Sequence, residues 1–108
     1  MNEAQAVDTL GALAQGARLQ MVRYLIACGE EGAPAGMIAE TVGSTSSKAS
    51  FHLAALEKAK VINSEKVSRS IIYRANFKQV SGLISFLLND CCGGNPDILS
   101  CCDLGPCY

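Results

Sequence analysis

The sequence is poor in the groups on which most enzymes depend. Its 108 residues include one histidine, His52, and we find no phosphate-binding glycine loop, no Cys–His pair and no carboxylate pair at a catalytic spacing. A chain of this length forms one domain with a modest core. No catalytic residue is predicted, and the sequence favours a binding or regulatory protein over an enzyme.

Export signals and long apolar segments are also missing. The first residues contain no basic stretch followed by an apolar one, as a secretory signal would. The longest apolar stretch near the C-terminus, Leu83–Leu88, is interrupted by Ser85 and falls far short of the roughly 20 residues of a membrane span. We therefore expect a cytoplasmic protein without a membrane partner, whose thiols are mostly reduced.

Charge is nearly balanced over the chain but unevenly distributed along it. A net charge of −1 alone argues against a nucleic-acid-binding protein. However, residues 43–80 carry seven basic side chains against two acidic ones, whereas residues 1–42 carry two basic and five acidic ones. This local excess of positive charge is the kind of surface that binds phosphates.

Hydrophobic periodicity predicts a mainly helical fold. Apolar residues at helical spacing indicate helices over residues 2–15, ended by Gly16, and over residues 18–28. Pro34 suits the first turn of a third helix, and Gly43 suits its end because glycine readily adopts a positive φ. Ser44–Ser47 offer N-caps for a fourth helix over residues 47–59.

Two β-branched runs follow, over residues 61–67 and 71–75, and the polar turn between them indicates a hairpin. Asn76 can cap a fifth helix over residues 77–88. The predicted fold class is therefore mainly α with a small β-hairpin, a winged helix-turn-helix. The first and last helices show more apolar surface than a small monomer buries, so we expect a homodimer.

The third helix, the turn at Gly43 and the fourth helix form the predicted helix-turn-helix unit. Such a unit places its second helix, here the fourth helix of the chain, in the major groove of double-stranded DNA. The predicted DNA-contacting residues are Ser46, Ser47, Ser50 and Phe51 in the groove, Thr45 and Lys48 near phosphate, and Arg69 at the wing tip. Two alternatives remain open at this point: that Phe51 belongs to the core instead, and that Lys48, Lys58 and Lys66 only form a solvated surface. His52 is predicted to be a packed, hydrogen-bonded helix residue rather than a catalytic one.

Several segments resemble the ArsR/SmtB family of metal-responsive repressors. Residues 13–22 read LAQGARLQMV and are similar to that family's L-A-x-x-x-R-L entry into the second helix, and residues 50–56 read SFHLAAL and are similar to its S-x-H-L-x-x-L recognition helix. Ile72-Tyr73-Arg74 resembles the second wing strand. The resemblance implies a dimeric repressor that binds operator DNA. One departure is Lys60, where many members have glycine.

The metal sites common in that family have no counterpart here. The C-V-C pair at the start of the third helix is replaced by residues 32–36, which lack cysteine, and the last helix carries neither Asp nor His. Instead, five of the six cysteines lie after residue 90. The Cys91-Cys92-Gly93-Gly94 stretch is similar to an arsenite-responsive subgroup with thiols after the dimerisation helix. We thus predict a DNA-binding and dimerisation domain at 1–89 and a metalloid-sensing tail at 90–108.

Thiolates are soft ligands that select soft metals and metalloids. Trivalent arsenic and antimony take three sulfurs, methylated As(III) takes two, and adjacent cysteines suit both better than they suit tetrahedral zinc, which favours C-x₂₋₄-C spacing. The regulatory ligand is therefore predicted to be As(III), Sb(III) or methylated As(III), with no prosthetic group. The predicted ligands are Cys91, Cys92, Cys101 and Cys102, whereas the role of Cys107 stays open.

The same cysteines allow other uses of the tail. The cysteines are incidental in an unstructured tail, or they bind structural zinc, or they form a thiol redox switch. A metal-sequestering protein without an operator is a further alternative, against which the serine-rich fourth helix argues. Cys28 stands alone and is predicted to be a small core residue at the end of the second helix.

Overall fold

The computed structural model describes residues 1–91, with side chains for residues 1–88. The described residues form five α-helices around a small antiparallel sheet, which confirms the mainly helical winged helix-turn-helix fold. A 3₁₀ turn follows α2, and a π-helical segment continues α5. The elements are α1 (Glu3–Leu13), α2 (Gly16–Cys28), the 3₁₀ turn (Gly29–Glu31), β1 (Ala33–Pro34), α3 (Ala35–Val42), α4 (Ser46–Lys58), β2 (Ile62–Val67), β3 (Ser70–Ala75), α5 (Phe77–Ser85) and the π-helical segment (Phe86–Cys91).

The boundary between α1 and α2 differs from the prediction. Gly16 was expected to end the first helix, but it begins α2, and α1 ends two residues before Gln15. The cause is a side-chain cap, since Oε1 of Gln15 accepts a hydrogen bond of 3.0 Å from the backbone N–H of Arg18. A new helix therefore starts immediately after the short break.

The sheet has three strands rather than the two of the predicted hairpin. Its order is β1-β3-β2, and Pro34 pairs with Ile72 while Ala33 pairs with Tyr73. Pro34 was predicted inside the third helix, but it precedes α3 as its N-cap residue. A proline is acceptable at this sheet edge because no partner strand there needs its missing N–H. The β2–β3 hairpin forms as predicted, with a turn at Ser68 and Arg69.

The core lies between α2, α3, α4 and the base of the sheet. As predicted, α4 buries Ala49, Leu53 and Leu56. Cys28 is half-buried and packs against this core at the last residue of α2, also as predicted. The largest side chains that are fully buried are Met21, Leu25, Ile38, Leu53, Leu56, Ile62 and Val61.

Apolar residues that identified α1 as a helix lie on its outer surface. Val7 and Leu10 are 61% and 43% exposed, whereas the buried residues are the smaller Ala6, Thr9 and Ala12. This agrees with the expectation that the first helix carries more apolar surface than a monomer buries. Leu19 and Ile26 of α2 are likewise exposed. Only short side chains fit where α1 crosses its neighbours, so the longer ones remain on the outer surface.

The last helix begins as predicted and ends differently. Oδ1 of Asn76 accepts a hydrogen bond from the backbone N–H of Gln79, which caps α5. Regular α-helix stops at Ser85 rather than at Leu88, and the π-helical segment carries the chain to Cys91. The glycine and proline pairs past Asn89 predict no regular structure there, but the π-helical segment includes Asp90 and Cys91. Residues beyond 91 lie outside the described residues. None of the described helices is long and apolar enough to cross a bilayer.

Candidate nucleic-acid interface

The turn between α3 and α4 aims the fourth helix outward. Gly43 adopts a left-handed conformation with φ of 68°, and its N–H contacts the carbonyls of Ala39 and Glu40, which ends α3. Thr45 then caps α4, because its Oγ1 accepts a hydrogen bond of 3.2 Å from the N–H of Lys48. The Thr45 hydroxyl keeps its own proton for donation. This is a helix-turn-helix unit whose second helix is α4.

The outer side of α4 is polar apart from one aromatic ring. The serines at 46, 47 and 50 and Lys48 are exposed, and no side-chain hydrogen bond of theirs forms within the described residues. Phe51 is also exposed, so the alternative that it belongs to the core is wrong. The structure thus leaves the predicted groove-facing residues accessible. Their contact with DNA stays a prediction.

His52 connects α4 to α2 through Arg18. Nε of Arg18 donates a hydrogen bond of 3.1 Å to Nδ1 of His52, and the Arg18 guanidinium lies 5.7 Å from the centre of the Phe51 ring. The prediction that His52 is a packed, hydrogen-bonded residue is confirmed. Sequence reasoning gave Arg18 no role, although it stands in the segment 13–22 that carries the family resemblance.

The wing, residues 62–75, places a further basic residue at the surface. Arg69 is exposed in the β2–β3 turn, as predicted, and Ser68 before it has a positive φ of 59°. Arg74, counted in the basic segment, is engaged within the wing instead. It forms an ion pair of 2.8 Å with Glu65, and its Nε donates a hydrogen bond to the carbonyl of Glu30. Arg74 therefore stabilises the wing and is no free cation for DNA.

The predicted metalloid ligands lie at or beyond the end of the described chain. Cys91 is the last residue of the π-helical segment, whereas Cys92, Cys101, Cys102 and Cys107 lie outside the described residues. Within the part of the chain that is described, no group of three or more His, Cys, Asp or Glu side chains is arranged to hold a metal ion.

Comparisons with known proteins agree with this architecture. Residues 13–65 match a family model described as a helix-turn-helix domain. The comparison with curated proteins gave no significant match.

Solved structures match over most of the chain. An ArsR-like transcriptional regulator from Rhodococcus sp. RHA1 superposes with a TM-score of 0.74 at 20% identity, covering 97% of this chain and 96% of its own. A homodimeric winged helix-turn-helix DNA-binding domain from Mycobacterium bovis, described as a possible ArsR-family regulator, gives 0.62 at 26% identity, covering 81% and 84%. HlyU from Vibrio cholerae gives 0.66 at 26% identity, covering 85% and 99%. The chain is therefore a winged helix-turn-helix protein, and it is similar to regulators of the ArsR family.

Proposed function

We propose that the protein is a homodimeric transcriptional repressor of the ArsR/SmtB type, which releases its operator when trivalent arsenic or antimony binds the thiolates of its tail. The observation that carries the DNA-binding part is the division of α4 into two sides. Ala49, Leu53 and Leu56 are buried on one side, while the other presents serine hydroxyls and a lysine outward. In a helix-turn-helix unit this is the helix that enters the major groove.

Charge supports the same surface. Lys48 and Lys58 on α4 and Arg69 on the wing are exposed, and the only ion pair among the described residues is that between Arg74 and Glu65. The three cations are thus free to contact phosphates. Because each phosphate contact releases counterions, operator affinity should fall steeply with salt, with a slope of about −0.9 for each contact in a double-logarithmic plot.

Exposed apolar side chains support a dimer. Val7 and Leu10 on α1 and Phe77 on α5 are all exposed, although burial of such side chains is favourable. A second copy packed on α1 and α5 covers them. The similar domain from Mycobacterium bovis is homodimeric. In a two-fold dimer, the two α4 helices read half-sites about one helical turn, roughly 34–36 Å, apart.

The sensing part rests on thiol chemistry and on chain connectivity. Cys91 ends the segment that continues α5. Binding of a ligand by Cys91, Cys92 and Cys101 or Cys102 therefore shifts the end of a helix in the proposed dimer interface. A change in that interface alters the separation of the two α4 helices. Such coupling between ligand and DNA typically amounts to about 1–3 kcal/mol, a 5- to 150-fold loss of operator affinity.

The test is fluorescence anisotropy with labelled DNA from upstream of the protein's own gene. Reduced protein is titrated at several salt concentrations, and arsenite, antimonite or zinc is then added to the complex. Tight, salt-dependent binding that arsenite or antimonite releases supports the proposal. Absence of binding contradicts the repressor, and release by peroxide or zinc alone assigns the tail to redox or zinc sensing instead.

Two matched variants locate the ligand site. Cys91→Ser should abolish or strongly weaken the response to arsenite, while operator affinity without arsenite is unchanged. Cys28→Ser is the control, because Cys28 is the one cysteine outside the tail and lies at the end of α2. A Cys91→Ser protein with an unchanged arsenite response would exclude Cys91 as a ligand.

A further inference from the structure

Phe51 is the most exposed large apolar side chain among the described residues, at 67%. It lies in the second turn of α4, on the side opposite the buried Ala49, Leu53 and Leu56. Its neighbours on that side, Ser47 and Ala54, are small and exposed. The ring therefore projects beyond its surroundings at the centre of the surface that the proposed function assigns to DNA.

The ring is held in place by two polar side chains. The guanidinium carbon of Arg18 lies 5.7 Å from its centroid, within the range of a cation–π interaction. The His52 ring lies 5.8 Å away, with an interplanar angle of 68° in an edge-to-face arrangement. Because Arg18 also donates a hydrogen bond to His52, the three side chains form one connected group. A ring ordered before binding loses little conformational entropy when it meets a ligand.

The chemistry of the major groove decides what such a ring can contact. Base edges there present hydrogen-bond donors and acceptors, and the C5-methyl of thymine is the one apolar group. Phe51 makes no hydrogen bond, so packing it on a donor or acceptor would desolvate that group without replacement. Packing it on a thymine methyl buries apolar surface on both sides and leaves no polar group unpaired.

We propose, on the basis of the proposed DNA-binding function, that Phe51 reads the C5-methyl of a thymine in each operator half-site. Arg18 acts as a positioning residue that fixes the ring from α2. The serine hydroxyls beside Phe51 bind polar atoms of neighbouring bases. The operator should therefore contain one thymine in each half-site that neither cytosine nor uracil replaces without loss.

The first experiment selects binding sites from randomised duplex DNA with the reduced, full-length protein. Each thymine of the selected half-site is then replaced singly by deoxyuridine, which pairs identically and lacks only the methyl group. At one position we expect affinity to fall about fourfold per half-site, as burial of one methyl group predicts. Substitution in both half-sites should give about a 15-fold loss, since the two sites contribute separately.

Protein variants connect that loss to the ring. Phe51→Ala should bind the thymine and deoxyuridine operators equally. Because the side chain is exposed and loses only its contacts with Arg18 and His52, the variant should lose no more than about 1 kcal/mol of stability and stay folded. Lys58→Ala, on the same side of α4, is the matched control, which should weaken both operators alike and keep their ratio. Arg18→Lys retains the charge but loses the Nε donor, and should lower the thymine-to-deoxyuridine ratio rather than reduce affinity uniformly.

The outcomes separate this inference from the function on which it rests. A selected operator whose affinity is insensitive to deoxyuridine at every thymine would overturn the role of Phe51 and leave the repressor intact. An unchanged ratio in Phe51→Ala would do the same. Failure to select any sequence would overturn the DNA-binding function, and the inference with it.

Discussion

The buried hydroxyl of Thr9 on α1 accepts a hydrogen bond from Nε2 of Gln79 on α5, with 3.1 Å between the two atoms. The same hydroxyl donates to the carbonyl of Gln5 at 2.8 Å. Thr9 is 1% exposed and is the only buried polar residue among the described ones. This contact ties together the two helices whose outer surfaces carry the exposed apolar side chains.

Replacement of Thr9 by valine should therefore destabilise the protein. The two side chains have nearly the same shape, but valine offers no acceptor, so the Gln79 amide loses its partner in a part-buried setting. We expect a loss of about 1–3 kcal/mol in the free energy of unfolding, measured by chemical denaturation. Thr41→Val is the control, since Thr41 makes the same bond to the carbonyl four residues before it but is exposed. Equal effects of the two changes would refute the role of Gln79.

Charge introduced on the outer side of α1 should separate the proposed dimer. Val7→Glu places a carboxylate where two copies are expected to pack, and it removes an apolar contact on each side. The dimer dissociation constant should rise at least about 100-fold, as measured by sedimentation velocity. Ile71→Glu is the control, because Ile71 is similarly exposed but lies on the wing. If Val7→Glu sediments as wild type does, α1 is not in the interface.

Lys60 occupies a conformation that glycine adopts more easily. Its φ is 65°, and its carbonyl is fixed by a 2.8 Å hydrogen bond from Nδ2 of Asn76, so the backbone cannot relax freely. Lys60→Gly should exceed Lys60→Ala in stability by about 1 kcal/mol, since both lack the charge and only alanine retains the Cβ. Thermal unfolding of the two variants tests this. An alanine variant as stable as the glycine one would show that the left-handed conformation costs nothing here.

Two glycines with the same backbone conformation should respond differently to alanine. Gly29 and Gly32 have φ of 63° and 62°, but a Cβ at Gly29 meets open space, whereas one at Gly32 collides with the Tyr73 carbonyl and lies 2.7 Å from Cγ of Arg74. Their ψ values of −140° and −161° lie outside the left-handed helical region, in a region nearly restricted to glycine. Gly29→Ala should therefore cost about 1–3 kcal/mol, and Gly32→Ala about 1–3 kcal/mol more because of the collision. Equilibrium unfolding in urea compares the two variants. Similar losses in the free energy of unfolding would show that β3 moves to accommodate the new Cβ without loss of stability.

Local sequence signals were sufficient to predict much of the fold. Gly43 and Asn76 act within a few residues of their position, so their roles in ending α3 and starting α5 were predicted correctly. The two-residue strand β1 is too short to show any periodicity. It is recognisable only through its pairing with Tyr73 and Ile72, which lie far along the chain.

The side of α1 that faces the core could not be predicted, for a different reason. The spacing of Val7 and Leu10 identified a helix with excess apolar surface, but it did not say that the smaller Ala6, Thr9 and Ala12 are the buried residues. The group formed by Arg18, His52 and Phe51 depends on how α2 crosses α4, which no spacing within either helix reveals. The predicted cysteine ligands stay predictions, because all but the backbone of Cys91 lies outside the described residues.

The strand β1 also has a consequence for how copies of the protein can meet. It lies at one edge of the sheet, spans only two residues, and one of them is Pro34, which offers no N–H. Such an edge cannot template a further strand, a common route to aggregation of small sheets. The β1 edge of the sheet is thereby protected from pairing with another copy. The opposite edge is β2, where the exposed charged side chains of Glu65 and Lys66 disfavour the same pairing.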